Sequence, residues 1–132
     1  MDLKKDITVL NQAYNDNSGY TAEFNLNVLN HINRELDADF DLSKFRHHAR
    51  YNDKLGRMEM YLISNADHQV KVKDTLFDFL EGDFVHTENS YKYTVKEFQS
   101  LAAEAGFAAE KCWQDQDQLF SVHFLRKKSC VK

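Results

Sequence analysis

The chain has no proline and only four glycines in 132 residues. A nucleotide-type cofactor usually sits over a glycine-rich turn after the first strand of an α/β sheet, where the backbone comes close to the ligand. No such turn is written here. Gly19, Gly56, Gly82 and Gly106 are isolated and read as turn or cap residues. There are two cysteines, Cys112 and Cys130, without metal-ligand spacing, and they are expected to be free thiols. No apolar run is long enough to span a bilayer, so no transmembrane helix is expected. The N-terminus lacks an apolar signal region, which points to the cytoplasm. There is no basic excess either. A net charge of −4 and a pI near 5.8 argue against a nucleic-acid binder. No repeat, linker or low-complexity segment is present.

What is there suits one domain or a piece of one. Apolar residues make up 42% and aromatics 13%, enough for a core. Residues 21–36 repeat Phe24, Val28, Leu29, Ile32 and Leu36 at helical spacing. Residues 37–43 form a polar break, and strands are expected near 46–51, 57–64, 69–73, 76–80 and 84–93. Asn52 to Gly56 and Glu81-Gly82-Asp83 read as hairpin turns. Thr94 with Glu97 forms a capping box before a stripe of Val95, Phe98, Leu101, Ala102 and Ala105, and Gly106 ends that helix. Strands at 107–114 and 119–126 flank the polar turn Asp115-Gln116-Asp117. The fold class is α+β, with one long helix packed on an antiparallel sheet of four to five strands, then a helix and a β-hairpin.

Chemistry concentrates in His86-Thr87-Glu88-Asn89-Ser90-Tyr91-Lys92-Tyr93. On a strand, alternate side chains share a face, so Glu88 and Ser90 point the same way about 7 Å apart. The carboxylate accepts from an N–H and the hydroxyl can donate to a second ring nitrogen, the pattern an imidazole presents. Taken alone, the pair reads first as a solvated strand face. The six histidines offer no metal site: His47 and His48 are adjacent and face opposite ways on a strand, and His31, His68, His86 and His123 are scattered. Lys127, Lys128 and Lys132 form a short solvated tail.

Longer words surround this strand: Asp2-Leu3-Lys4-Lys5-Asp6, Ala13-Tyr14-Asn15-Asp16, Gly19-Tyr20-Thr21-Ala22-Glu23-Phe24-Asn25-Leu26-Asn27, Asn33-Arg34-Glu35-Leu36-Asp37-Ala38-Asp39-Phe40 and Arg57-Met58-Glu59-Met60-Tyr61-Leu62. In that order the chain resembles the C-terminal part of the histidine-specific, S-adenosylmethionine-dependent methyltransferases, which include the L-histidine Nα-methyltransferase of ergothioneine biosynthesis. The resemblance runs from about Asp2 to Leu125. It implies S-adenosylmethionine as cofactor and histidine or a related amino acid as substrate. It also implies substrate-binding roles for four residues. Tyr14 has its hydroxyl near the amino-acid carboxylate, Met60 lies against the ring, and Glu88 and Ser90 read the imidazole. None of them does chemistry, because methyl transfer needs the unprotonated amine aligned behind the methyl group and orientation supplies most of the rate.

On this reading the chain is a fragment. Residues 1–12 are the remnant of a cofactor-binding half, with a strand and loop at 3–9. Residues 13–93 recognise substrate, 94–126 close a class I methyltransferase sheet, and 127–132 are a tail. The missing glycine-rich turn places S-adenosylmethionine mainly on an absent N-terminal part. An unpaired closing hairpin would invite edge-to-edge pairing between copies. The alternative is a small non-catalytic α+β module, cystatin-like or nuclear-transport-factor-like, that binds a ligand or dimerises.

Overall fold

A computed structural model describes residues 1–128. The first helix, α1 (Ile7–Tyr14), starts at Asp6, whose carboxylate accepts from the Thr8 amide. Leu10 is its buried contact. This corrects the expected strand and loop at 3–9. Only Asp2 and Leu3 are extended, bridging to Phe120 and Tyr93, and the short helix was hidden because its apolar stripe is barely two turns long. The second helix, α2 (Tyr20–Leu36), lacks a capping side chain at Gly19. Instead the Asp16 carboxylate reaches forward to the amides of Tyr20 and Thr21, which suits an anion at a helix N-terminus.

Strands β1 (Phe45–Asn52), β2 (Arg57–Ser64) and β5 (Phe84–Tyr91) form an antiparallel sheet in the order β1-β2-β5. Strands β3 (His68–Val72) and β4 (Thr75–Phe79) make a separate hairpin, as do β6 (Phe107–Gln114) and β7 (Ser121–Lys127). The strands expected in one four- or five-stranded sheet are therefore divided among small sheets. The reason lies after β2: Ser64 bonds to both Asp83 and Gly82, so the chain returns to β2 as β5 and β3–β4 loops out between them.

Both long-range cores lie on one face of the β1-β2-β5 sheet. Leu10 of α1 packs on Ala49, Met58 and Met60, with Tyr14 and Tyr51 at the margin. Leu29 of α2 packs on Phe45 and Leu62. The buried side of α2 is Asn25 and Leu29, while Phe24 is 63% exposed. The helix is thus rotated from the stripe read in the sequence, leaving Phe24, Val28 and Leu36 at the surface. Helix α3 (Val95–Glu104) carries the expected Thr94–Glu97 capping box in full, and it leads into the β6–β7 hairpin. That hairpin leaves Trp113, Phe120, Val122 and Phe124 about half exposed. Cys112 is a free thiol. Cys130 and Lys132 lie outside the described residues.

Candidate functional site

Tyr14 is the last residue of α1, and three contacts fix it there. Asn11 accepts from the Tyr51 amide, Asn15 bonds both to the carbonyl and to the amide of Ala49, and His47 Nε2 donates to the Tyr14 carbonyl at 2.8 Å. The end of α1 is in this way laced onto the free edge of β1, whose backbone groups would otherwise be unpaired. Register does the rest. Met58 opposes Ser90 and Met60 opposes Glu88, and directly opposed residues in an antiparallel pair project to the same side. Tyr14, Met60, Glu88 and Ser90 therefore share the face that α1 covers. The Tyr14 hydroxyl lies 3.0 Å from Ser90 Oγ.

Beside Tyr14 and Ser90 is a residue the sequence reading passed over. Lys92 is buried, with its ammonium 2.7 Å from Asp2, 2.7 Å from Tyr14 Oη and 2.9 Å from Ser90 Oγ. Each of its three N–H groups thus has an acceptor. Burial works against the charge, but the bonds to Asp2 and Tyr14 outweigh it and hold the lysine pKa above its ordinary value. Alternation was the signal that could have found it. Lys92 is two residues beyond Ser90, on the same side. The Tyr14 hydroxyl donates to Ser90 Oγ and accepts from Lys92.

Glu88 differs from its neighbours. It is half-buried, and no described side chain or amide bonds its carboxylate. Hollows of about 400 Å³ beside Lys92 and Gly56, and about 510 Å³ along Tyr20, Phe24 and Leu42, do not include Tyr14, Glu88 or Ser90. These three form a wall rather than an enclosed pocket.

A second layer sets where the wall stands. Asn25, 1% exposed, donates to the Tyr61 carbonyl and to His47 Nδ1, and accepts from the Thr87 hydroxyl at 2.6 Å. With Asn25 bonded to Nδ1, it is Nε2 that carries the proton accepted by the Tyr14 carbonyl. Thr87 is the extra residue of a β-bulge between the Tyr61–His86 and Met60–Glu88 pairs. Sequence reasoning missed Asn25, which stands outside the apolar stripe read for that helix.

The opposite face of the sheet holds a closed polar network. Glu59, 2% exposed, accepts from Arg57, Asn52, Arg50 and Tyr61. The Tyr61 hydroxyl and Arg57 guanidinium hold its pKa down at about 2. His48, Arg50, Tyr61, Ile63 and Phe84 line a hollow of about 160 Å³ beside it. Among the described residues no three metal-ligating side chains are gathered, and no helix is long and apolar enough to cross a membrane.

A family model described as histidine-specific methyltransferase, SAM-dependent, matches residues 1–127. The chain belongs to that family. Proteins named histidine N-alpha-methyltransferase from Mycobacterium tuberculosis and Mycolicibacterium smegmatis are 40% identical over 128 residues and 42% identical over 116 residues. The alignments cover 96% and 86% of this chain, but only 40% and 36% of those relatives. A protein named L-tryptophan methyltransferase from Psilocybe serbica is 28% identical over 132 residues, 36% of its own length. The chain thus spans well under half the length of these relatives.

Proposed function

We propose that this chain is the substrate-recognition part of an enzyme that transfers methyl groups from S-adenosylmethionine to the α-amino group of histidine. The observation that carries this reading is the convergence of Tyr14, Met60, Glu88 and Ser90 on one face, with the Glu88 carboxylate open to a ring N–H. Tyr14 faces the amino-acid end, Met60 the ring, and Glu88 and Ser90 the two ring nitrogens. Residues 13–93 form the recognition unit and 94–126 the closing helix and hairpin of a class I sheet. The half-exposed aromatic residues of β6–β7 support that division, since an intact sheet would cover them.

The described residues do not suit S-adenosylmethionine. The paired strands are antiparallel, and the four glycines stand apart, each at positive φ in a turn or cap. A phosphate- or ribose-type cradle after a parallel strand is not among them. The cofactor is assigned to the part of the protein that the relatives have beyond this alignment. The non-catalytic alternative has no comparable support. Tryptophan is the second reading, favoured by the likeness to the Psilocybe protein, but its ring would leave one of the two polar groups on β5 without a partner.

The test is turnover by the full-length protein with S-adenosylmethionine, followed by mass spectrometry and fragmentation of the product. Histidine methylated on its α-nitrogen is expected. Turnover of tryptophan alone would favour the second reading, and turnover of neither would end both.

A further inference from the structure

Lys92 is a positioning residue that makes Ser90 an obligate hydrogen-bond donor. That is what we infer from the three contacts of its ammonium, and it rests on the histidine reading above. A lysine ammonium only donates, so Tyr14 Oη and Ser90 Oγ both accept from it, at 2.7 and 2.9 Å. The phenol is the more acidic of the two hydroxyls and donates to the serine at 3.0 Å. Ser90 Oγ therefore receives two hydrogen bonds, and a hydroxyl oxygen has two lone pairs. Its own proton is what remains for a ligand. Glu88, two residues away on the same side, is the converse, since an ionised carboxylate only accepts.

The wall therefore has a polarity. One end requires an N–H and the other requires a bare nitrogen. A neutral imidazole meets both in one tautomer. A ring that offers N–H to Ser90 sets two donors against each other, and a site with committed polar groups rejects such a mismatch strongly. Asp2 completes the device by holding the third N–H of Lys92 at 2.7 Å, so the ammonium has no spare donor with which to turn away.

The experiment is calorimetry on the full-length protein with histidine and with the two isomers of pyrrolylalanine. Each isomer carries a single ring N–H, at one or other of the positions where histidine has nitrogen, and both rings are uncharged. One isomer aims its N–H at Glu88 and the other at Ser90. Wild-type protein is expected to bind the first about tenfold to a hundredfold more tightly. In Lys92→Met, Ser90 regains a lone pair, and the gap should shrink severalfold even if both isomers bind more weakly. A merely structural role for Lys92 would weaken both equally and leave the ratio alone.

Melting followed by circular dichroism checks that the variant folds. Should it not fold, Tyr14→Phe removes the other bond into Ser90 and must narrow the same gap. Wild-type binding of histidine with no gap between isomers overturns the inference while sparing the histidine reading. So does an unchanged gap in a folded variant. A wild-type protein that ignores histidine overturns both.

Discussion

The two faces of the β1-β2-β5 sheet each carry a glutamate, and the two differ in burial and in partners. On the outer face Glu59 is almost fully buried and receives bonds from four side chains. On the inner face Glu88 is half-buried beside a cluster of satisfied groups and receives none from the described residues. A carboxylate whose acceptors are filled by its own fold contributes to holding that fold. One left open beside a preorganised hydroxyl is available to a ligand. The motif words do not separate the two, since both glutamates sit mid-strand between polar or aromatic residues two positions away.

Perturbing each side should separate stability from recognition. The largest effect is expected at Glu59. Replacing it with alanine leaves the buried Tyr61 hydroxyl without its acceptor and takes from Arg57 its carboxylate partner, at a cost of about 2–3 kcal/mol in urea unfolding. Selection between histidine and an aromatic amino acid of similar size should not change. Acid should act through the same residue. A carboxyl held near 2 in the fold contributes fully above its unfolded value of about 4.3 and loses that contribution as pH falls toward the folded value. Stability measured from pH 5 to pH 2 should therefore fall less steeply in Glu59→Gln than in wild type. An equal slope would show that other carboxyls carry the acid response.

Glu88→Ala is the mirror experiment. Histidine binding should weaken by about 1.5–3 kcal/mol, the usual cost of a charge-assisted bond, while unfolding stays within about 0.5 kcal/mol of wild type. Ser90→Ala should cost histidine about 1 kcal/mol, because its bond is neutral. Calorimetry with histidine and with the aromatic amino acid decides both cases, and equal losses for the two ligands would return the pair to a solvated strand face. The smallest effect is expected at Arg50, whose side chain is 61% exposed. Arg50→Ala should change stability by no more than about 0.5 kcal/mol, and a loss near that of Glu59 would mean the network is more cooperative than its exposure suggests.

Element type was legible wherever the period was long or the cap was written locally. The Thr94 capping box, the second helix and the β1 and β2 strands needed no tertiary information. Sheet membership was not legible, because nothing local distinguishes β3–β4 from strands of the main sheet. The backbone bonds of Ser64 decide that, and they join residues about 18 positions apart. The rotation of α2 was misread because apolar content was taken for burial. Asn25 is buried since it has three partners, and Phe24 is exposed despite its ring. In the site, Glu88 and Ser90 follow from simple alternation. Lys92 follows from it too, yet a lysine reads as surface until Asp2, 90 positions earlier, is known to face it.

The bulge at Thr87 sets a parity. His86 stacks on Tyr61 with ring centroids 4.6 Å apart on the outer side, whereas Glu88, two positions on, stands opposite Met60 on the inner side. Ordinary alternation would put His86 and Glu88 together, so the extra residue inverts the phase of everything that follows. Ser90 and Lys92 inherit their direction from it. Adding one more residue after Thr87 would swing all three outward and bring Asn89 and Tyr91 in, without altering a single functional side chain. The spacing within this strand thus decides which side chains join Tyr14 on the inner face as firmly as their identity does.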